Sequence, residues 1–284
     1  MTIIVTPDMT ILITGATGHL GTLVIDSLLA KGVPADQIRA GARSPEKITA
    51  VPAVHLDYED AASVAAALEG VEKVLLISAS VPGTRVALHK TVIDAAAAAG
   101  VQQLVYTSVL DARDSALILA PEHKATEELI EASGVPATIL RNGWYTENYL
   151  GTLDQAKSGE IVTSTGDGRV SSASRKDYAD AAVAVLTEPG HENTVYELSG
   201  DEAWSFDEFA AVASGILGSP VAHRNVTADE HAAALTAAGL DAGTVGFVVA
   251  LDGNIRDGLL AATPGDLGRL IGRPTTPLAE GLAL

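Results

Sequence analysis

Three glycines close together in this chain can hold a phosphate group. They stand at positions 15, 18 and 21 of segment 14–21, which reads TGATGHLG. Between a strand and a helix, such a turn lets backbone N–H groups approach a pyrophosphate at the positive N-terminus of the helix. The flanking apolar strand and amphipathic helix make the G-x-x-G-x-x-G spacing specific. We expect a dinucleotide to be bound by Gly15, Thr17, Gly18, His19 and Leu20. The alternative is a tight turn without a ligand.

The end of the second predicted strand indicates which dinucleotide is bound. Proteins that use NAD usually carry an Asp or Glu there, which binds the ribose hydroxyls. Segment 40–47 reads AGARSPEK, so no acid ends the strand. The planar fork of Arg43 can pair with a 2′-phosphate, and Lys47 follows one helical turn later. These residues favour NADPH over NADH. In the alternative, Arg43 is a solvated loop residue.

Further candidate contacts follow the other strands. The carboxyl ends of parallel strands line the ligand cleft of an open sheet. Asp57 and Tyr58 follow the third strand and are expected to border the adenine. The fourth and fifth strands end in these candidate cofactor contacts: Ser78, Ala79, Ser80 and Thr107.

An aromatic cluster follows the sixth strand. Asn142 ends that strand and can bond the cofactor or the substrate, while Trp144 and Tyr145 can stack on a flat ring. Aromatic residues make up only 4% of the chain, so their clustering at a strand end is informative. The alternative is a hydrophobic plug beneath a small lobe.

Several common chemistries lack their residues. None of the 6 tyrosines has a lysine four positions later, so the Tyr-x-x-x-Lys proton donor of many reductases is not encoded in its usual form. The sequence has no G-x-S-x-G elbow and no G-K-[ST] phosphate loop. With 0 cysteines and 7 histidines that show no ligand spacing, we expect neither thiolate chemistry nor a metal site.

The elements that carry these residues alternate between strand and helix. Short apolar runs predict strands at 10–14, 37–43, 53–56, 73–78, 103–108 and 137–142, with helical patterns between them. This alternation implies right-handed crossovers and a parallel sheet with helices on both faces. The expected fold class is α/β, a doubly wound parallel sheet of the Rossmann type with a smaller α/β C-terminal lobe.

The chain is expected to form two units. Residues 1–150 are predicted to form the dinucleotide-binding domain, to which 170–198 return, and residues 151–284 a smaller lobe that covers the substrate. Segment 159–169 is predicted as loops with one short strand. Residues 1–8 are expected to be a loose extension in which positions 3–5 can add an edge strand. We interpret Arg175 and Asp177 as a structural pair at a helix start.

Charge and composition argue against several partners. The net charge of -18 repels nucleic acids and anionic membrane surfaces. No stretch reaches the ~18 consecutive apolar residues of a membrane span. The first ten residues do not resemble a signal peptide. We expect a cytoplasmic monomer or homodimer whose partner is a small molecule.

Several segments together resemble a known family. They are TGATGHLG, YTSVL at 106–110, EHKATEELI at 122–130 and LRNGWYTENYL at 140–150. The chain is similar to the NmrA-like atypical short-chain dehydrogenases, and among them to the type 2 NADPH-dependent quinone oxidoreductases, with the triphenylmethane reductases as near relatives. The likeness runs from about Thr10 to the end and includes VYELSGDEAW and LIGRPTTPLAE in the second half.

The resemblance implies two-electron reduction of a quinone by hydride from NADPH, without flavin. Isoflavone-reductase-like cousins place a catalytic lysine eight residues before the Glu of an Ile-Glu pair, and counting back from Glu131 gives His123. His123 can hydrogen-bond the developing oxyanion or donate a proton near neutral pH. The candidate catalytic residues are His123, Asn142 and Tyr145, and the candidate substrate contacts are His123, Trp144 and Tyr145.

Other interpretations stay open. His123 can instead be a packed residue at the N-terminus of a helix. An NmrA-type regulator would bind the dinucleotide and a protein partner with little turnover. A reductase could also act on a triarylmethane dye, an activated alkene or a carbonyl compound, because pocket shape decides among these acceptors.

Overall fold

A computed structural model of the chain describes residues 9–81 and 83–283. In these residues the strands are β1 (Ile11–Ile13), β2 (Ile38–Ala42), β3 (Ala53–His55), β4 (Lys73–Leu76), β5 (Gln103–Val109), β6 (Ala137–Asn142), β7 (Glu160–Thr163), β8 (Arg169–Val170), β9 (Thr194–Leu198), β10 (Trp204–Ser205) and β11 (Ala222–Asn225). The α-helices are α1 (His19–Ala30), α2 (Ala61–Ala67), α3 (Arg85–Ala99), α4 (Ala120–Ser133), α5 (Leu150–Gln155), α6 (Arg175–Thr187), α7 (Phe206–Leu217), α8 (Ala228–Ala237), α9 (Ala242–Arg256), α10 (Asp266–Ile271) and α11 (Leu278–Leu282). The expected extension 1–8, with its edge strand, lies outside the described residues.

Within these residues seven parallel strands form one sheet in the order β3-β2-β1-β4-β5-β6-β9. The chain moves outward from β1 to β3 and then crosses back to β4, so the strand order reverses between β1 and β4. A ligand crevice is expected at the carboxyl ends of the strands on either side of such a reversal. The predicted doubly wound α/β fold is confirmed.

Apolar side chains cover both faces of this sheet. On one face α1 and α6 share a core in which Val24 and Leu28 of α1 are fully buried. On the other face α2, α3 and α4 contribute Val64, Val92 and Ile130 to a second core. Burying these apolar helix faces contributes roughly 25 cal/mol to the free energy of folding for each Å² of apolar surface removed from water. These two cores hold the strand ends, and so the crevice, in fixed positions.

The smaller lobe packs around a third core that is rich in aromatic residues and that it shares with β5 and α4 of the larger unit. Tyr149 and Trp204 meet edge to face with 4.8 Å between their ring centroids, and Phe206 and Phe209 pack beside them. In this lobe β7 pairs in parallel with β11, and β8 pairs antiparallel with β10. The lobe is therefore a packed body and not a collection of loops.

The end of the chain returns to the larger unit. Leu267 of α10 is buried in the core that α1 and α6 share. Arg273 pairs with Asp177 of α6 at 2.7 Å, and the N–H of Thr276 donates to the same carboxylate at 2.8 Å. The prediction assigned these residues to the smaller lobe, 151–284, and did not foresee that they pack against the larger unit.

The sequence did not predict α9. Its interior glycines, including Gly246, lower helix propensity, and the helix buries only Val245, Asp252 and Ile255. It therefore lacks the apolar stripe by which the other helices were recognised. Segment 159–169 also differs, because it holds β7 and the start of β8 where one strand was expected.

The predicted pairing of Arg175 with Asp177 is wrong. Arg175 lies 3.8 Å from Glu147, whereas Asp177 pairs with Arg273. Residues two apart on a helix do not face each other, so the two side chains of α6 reach different partners. In the part of the chain that the structure describes, no helix is long and apolar enough to cross a membrane.

Candidate active site

A cavity of about 510 Å³ opens where the strand order reverses. Its wall contains the predicted residues Gly15, Gly18, His19, Leu20, Tyr58, Ser78, Ala79, Ser80, Thr107, His123, Asn142, Trp144 and Tyr145. A pocket of about 270 Å³ shares Tyr58 with this cavity and adds Arg43 and Asp57. Another of about 320 Å³ shares Gly18 and adds Thr17. Because the three share wall residues, they form one continuous space, called the long cleft below.

The glycine turn lines the long cleft at the N-terminus of α1. Gly15 has a φ of +58°, in the left-handed region that favours glycine. A Cβ on Gly21 would lie 2.5 Å from the carbonyl oxygen of Gly15, so α1 can approach the turn only without a side chain there. Gly18 offers no capping side chain, and within the described residues the N–H groups of His19 and Leu20 have no acceptor. Such free N–H groups at a helix start bind anions.

Arg43 and Tyr58 lie at the pocket next to β2 and β3. Arg43 is exposed there, with room for an anion in front of it. The Tyr58 hydroxyl donates to the carbonyl oxygen of Ile77 at 2.9 Å, and burial raises the pKa of this phenol. Tyr58 therefore forms a fixed, neutral wall. The structure does not bring Lys47 to any of the three walls; it lies exposed at the end of a short 3₁₀ turn.

Side chains from neighbouring elements hold the segment that follows β4. The N–H of Ser78 donates to Thr107 Oγ1 at 2.9 Å, and the N–H of Ala79 donates to His89 Nε2 at 2.9 Å. The carbonyl oxygen of Ala79 accepts from Arg85 Nε at 2.7 Å. Burial, aided by the charge of Arg85, lowers the pKa of His89 to about 3, so its Nε2 stays an acceptor. The backbone groups of this segment are thus satisfied and rigid.

His123 is buried on the first turns of α4 and lines the long cleft. Its Nδ1 lies 2.8 Å from the hydroxyl of Tyr106. Burial raises the pKa of Tyr106, so the phenol keeps its proton and can donate it to Nδ1. In that tautomer Nε2 of His123 carries the ring proton and can donate a hydrogen bond.

One of the two roles predicted for His123 does not agree with its surroundings. Burial, together with the charge of Arg85, lowers the pKa of His123 to about 3. A histidine with that pKa is neutral near pH 7 and has no imidazolium proton to give. These surroundings disfavour proton donation near neutral pH, and the sequence could not show the burial or the neighbouring cation that cause this. Hydrogen bonding by the neutral ring agrees with the geometry.

Hydrogen bonds connect helix α4 to the sheet one turn beyond His123. Glu127 is buried and accepts from Ser108 Oγ at 2.5 Å and from Arg141 Nη2 at 2.7 Å. Arg141 also pairs with Glu197 of β9 at 2.6 Å. A buried pair with further hydrogen bonds of this kind holds its elements in one register.

Asn142 and Tyr145 lie together where β6 ends. The amide Nδ2 of Asn142 donates to the Tyr145 hydroxyl at 3.3 Å, while its Oδ1 is buried without a partner in the described residues. The Arg175 guanidinium lies 4.9 Å from the centroid of the Tyr145 ring, and Tyr178 meets that ring edge-on at 5.1 Å. Trp144 lines the cleft and also packs on the core of the smaller lobe, so stacking on a substrate ring stays a prediction beside its packing role.

Residues 15–189 match the family described as NAD(P)H-binding. The chain belongs to this NAD(P)H-binding family. The match covers the glycine turn and every wall of the long cleft described above.

Individual relatives agree over nearly the whole chain. Quinone oxidoreductase 2 of Escherichia coli (strain K12) is 46% identical over 279 residues, which span 96% of this chain and 97% of that protein. The crystal structure of the NADPH-dependent quinone oxidoreductase from Escherichia coli complexed with NADPH has a TM-score of 0.92, with 45% identity over 96% of this chain and 99% of that one. Triphenylmethane reductase of Citrobacter sp. complexed with NADP(H) also has a TM-score of 0.92, at 39% identity over the same shares. The resemblance predicted from the motifs is confirmed.

The residues of this NAD(P)H-binding protein fit its cofactor. Free N–H groups at the start of α1 suit a pyrophosphate, and the missing side chain at Gly21 leaves the turn close to the helix. The orphaned Oδ1 of Asn142 is an acceptor aimed at no protein group, as expected of an atom that a bound molecule satisfies. These residues would hold a dinucleotide that extends from Arg43 to Asn142.

Sequence reasoning missed two arginines of the cleft, Arg85 and Arg175. Each is the first residue of a helix, α3 and α6 respectively. A cation is unfavourable at the positive end of a helix. A positive residue in that position was therefore the signal that could have found them, since local rules are broken most often at functional sites.

A larger cavity of about 630 Å³ lies elsewhere, in the smaller lobe around Trp204. Its wall contains none of the predicted site residues. Two of its three carboxylates have partners, since Glu208 pairs with Arg169 at 2.5 Å and Asp201 accepts from the N–H of Thr275 at 2.7 Å. Size alone does not make it the site of chemistry, and the long cleft is the better candidate because it carries the chemical groups.

Proposed function

We propose that this protein reduces quinone-like small molecules by two electrons with NADPH, using neither flavin nor metal. The observation that supports this function is the wall of the long cleft, where the uncharged side chains of His123, Asn142 and Tyr145 line one cavity. No side chain there is a proton donor near pH 7, since burial raises the pKa of Tyr145 and lowers that of His123. A quinone suits such a site because it is already electrophilic and needs no acid for hydride addition.

The residues of the cleft have separate tasks in this reaction. When bound, NADPH supplies a hydride, which carries two electrons and one proton. Asn142 orients the reactants through its free Oδ1, and His123 donates a hydrogen bond from Nε2 to the acceptor oxygen on which negative charge develops. Trp144 and Leu119 line the cleft and limit the access of water. One proton from water then completes the hydroquinone.

The preference for NADPH over NADH is assigned to Arg43. It is the cation on the wall of the pocket beside β2 and β3, which Asp57 also lines. A guanidinium can hold a 2′-phosphate by two parallel hydrogen bonds. Lys47 is dropped from the proposed cofactor contacts because it lies outside the pocket wall.

A second candidate function is the reduction of a triarylmethane dye. The triphenylmethane reductase of Citrobacter sp. has the same TM-score of 0.92 as the quinone oxidoreductase, although its identity is lower. A regulator that binds NADPH without turnover is the remaining alternative. We also propose that the protein acts in the cytoplasm, as a monomer or homodimer, with the smaller lobe covering the acceptor.

The test is to mix the purified protein with NADPH or NADH and 1,4-benzoquinone, and to follow the loss of the reduced-nicotinamide absorbance. Reduction without protein is subtracted, because quinones accept hydride unaided. We expect protein-dependent oxidation that is faster with NADPH than with NADH, and one hydroquinone formed for each NADPH consumed. Tight NADPH binding without turnover on any quinone would contradict the proposal and favour the regulator.

A further inference from the structure

Arg85 is a buried cation that the proposed reaction has not yet used. It is the first residue of α3, its side chain is only 7% exposed, and it lines the long cleft beside His123 and Asn142. Its Nε donates to the carbonyl oxygen of Ala79 at 2.7 Å, and its Nη1 lies 3.4 Å from Glu122. In the described residues no acceptor lies within hydrogen-bond distance of Nη2. Nη2 is also not one of the fully buried side-chain atoms that lack a partner. Two N–H bonds are thus available to a bound molecule.

The protein holds this cation in an unfavourable place. A buried charge is costly unless it is paired, and the positive end of a helix adds to the cost. Glu122 compensates Arg85 only in part, because it is about a quarter exposed and its other oxygen accepts from the N–H of Gly83 at 2.9 Å. An anion in the cleft would complete the pairing.

The cofactor phosphates have partners of their own. The pyrophosphate belongs at the free N–H groups that start α1, and the 2′-phosphate belongs beside Arg43, in a pocket that Arg85 does not line. Arg85 lines the cavity that holds the glycine turn and also His123, Asn142 and Trp144. The Kd of NADPH is therefore measured beside turnover, to separate a phosphate contact from an acceptor contact.

We propose that Arg85 binds the negatively charged oxygen that forms on the acceptor, and thereby selects acceptors whose reduction creates an oxyanion. This inference rests on the proposed function and names the substrate class of the same site. A quinone gains one hydride and becomes a hydroquinone monoanion, and one proton from water then gives the hydroquinone. Arg85 remains protonated throughout and donates hydrogen bonds only, while the neutral ring of His123 donates a second one.

The same charge acts in the opposite direction on a cationic dye. A triarylmethane cation that accepts a hydride becomes a neutral product, so no oxyanion forms for Arg85 to bind. The dye cation would also lie beside a like charge with little water between them, which is unfavourable. The presence of Arg85 therefore favours quinones over cationic dyes in this chain.

The test compares Arg85→Met, Arg85→Lys and a control, Lys90→Met, which changes an exposed lysine on the same helix. The first readout needs no turnover. 4-Nitrophenol is bound to the NADP⁺-loaded protein, and its ionisation is followed by absorbance. We expect the bound phenol to ionise at lower pH than the free phenol, by about one unit or more, because the guanidinium favours the charged form. Arg85→Met should abolish this shift, and Arg85→Lys should keep part of it.

The second readout is the turnover of two acceptors. For 1,4-benzoquinone, kcat/KM should fall about 100- to 1000-fold in Arg85→Met, a typical loss for an oxyanion donor. For a cationic triarylmethane dye it should stay constant or rise. The Kd of NADPH, measured by its fluorescence, should change less than about threefold on the argument that phosphates bind elsewhere. A folding defect would lower both kcat/KM values and weaken NADPH binding at the same time, and Arg85→Lys then supplies the comparison in a folded protein.

The results separate this inference from the proposed function. Quinone turnover with a nitrophenol pKa that does not depend on Arg85 would overturn the inference and leave the function. If Arg85→Met raised the Kd of NADPH but kept normal turnover at saturating NADPH, the inference would also be overturned, because Arg85 would then be a cofactor contact. An Arg85-dependent shift of the phenol without quinone turnover would support the oxyanion site and reject quinones as the acceptor.

Discussion

Three arginines supply the positive charge of the long cleft, and each has a different environment. Arg43 is exposed beside the pocket at β2 and β3, Arg175 lies over the ring of Tyr145, and Arg85 is buried beside Ala79. Exposure decides what each can contribute, because an exposed charge is screened by water and salt while a buried one is not. Arg43 therefore acts through two-point contact with a phosphate, and Arg85 acts through its field.

Replacing Arg43 with alanine should weaken NADPH and leave NADH unchanged. We expect the Kd of NADPH to rise about 10- to 100-fold, because a charge-assisted bidentate contact is worth roughly 1.5–3 kcal/mol. Fluorescence titration with both nucleotides measures the change. Lys47→Ala is the matched control and should alter neither Kd by more than about twofold, the size of a weak exposed interaction. Equal losses for NADPH and NADH in Arg43→Ala would remove Arg43 from the phosphate site.

The pH dependence of turnover should be flat where a histidine usually titrates. Because burial and Arg85 lower the pKa of His123 to about 3, the ring gains its proton only as the pH falls toward that value. We expect kcat/KM for quinone, corrected for the uncatalysed reaction, to stay constant between about pH 5.5 and 7.5. His123→Gln should lower kcat/KM about 100-fold, the lower end of the effect of losing one donor, without changing the shape of the profile. An inflection near the ordinary histidine pKa that disappears in His123→Gln would show that His123 titrates.

Residues at strand ends could be predicted from the sequence, whereas the place of Arg85 on the cleft wall could not. Asn142 and Thr107 follow recognisable apolar strands, and the strand-end rule of open sheets located them. The place of Arg85 in the site depends on the direction of its side chain and on its burial. The neutral state of His123 depended on the same burial. These properties arise only when α3 and α4 pack together on the sheet.

At the scale of elements, the junction of β1 with α1 requires the backbone of α1 at Gly21 to lie close to the backbone of the turn at Gly15. Gly21 lies one turn into α1, with its Cα facing the carbonyl oxygen of Gly15. This approach places the start of the helix, with its free N–H groups, at the bottom of the cleft. The glycine is therefore a packing requirement for the anion site and not a source of flexibility.

Gly21→Ala should damage both stability and cofactor binding. The new Cβ would meet backbone atoms at 2.5 and 2.8 Å, so the helix has to move. We expect a loss of about 1–3 kcal/mol in unfolding free energy, the usual range for overpacking, and a Kd for NADPH raised at least about tenfold. Thermal unfolding and nucleotide titration measure these changes. Gly151→Ala, in α5 with nothing within 4 Å of the new Cβ, is the control and should not destabilise the protein.

The elements of the larger unit were predictable because their patterns are strong, whereas α9 was not. Strand β4 is a short apolar run, and α1 repeats apolar residues at helical spacing. Helix α9 contains interior glycines and is held by contacts that no local pattern shows, such as the hydrogen bond from the N–H of Ser164 to Asp252 at 2.7 Å. Its conformation depends on the smaller lobe as a whole.

At the scale of the molecule, the sheet order joins distant parts of the chain. Gly15 and Asn142 reach one wall because β1 and β6 end at the same edge of the sheet. Trp144 then connects this wall to the aromatic core of the smaller lobe. The parallel sheet and the resemblance were visible in the sequence. The return of α10 to α6 was not, because its few apolar residues indicate burial without indicating a partner.

The fixed charge of Arg85 also has an electrochemical consequence. A positive charge stabilises the reduced form of a quinone more than the oxidised form, so it raises the reduction potential of a quinone that binds beside it. His89 and His123 are neutral there, so no histidine step is added to this bias across the physiological pH range. Weak oxidants in water should therefore become stronger ones in this cleft, and the range of quinones that the protein reduces should follow their potential more closely than their size.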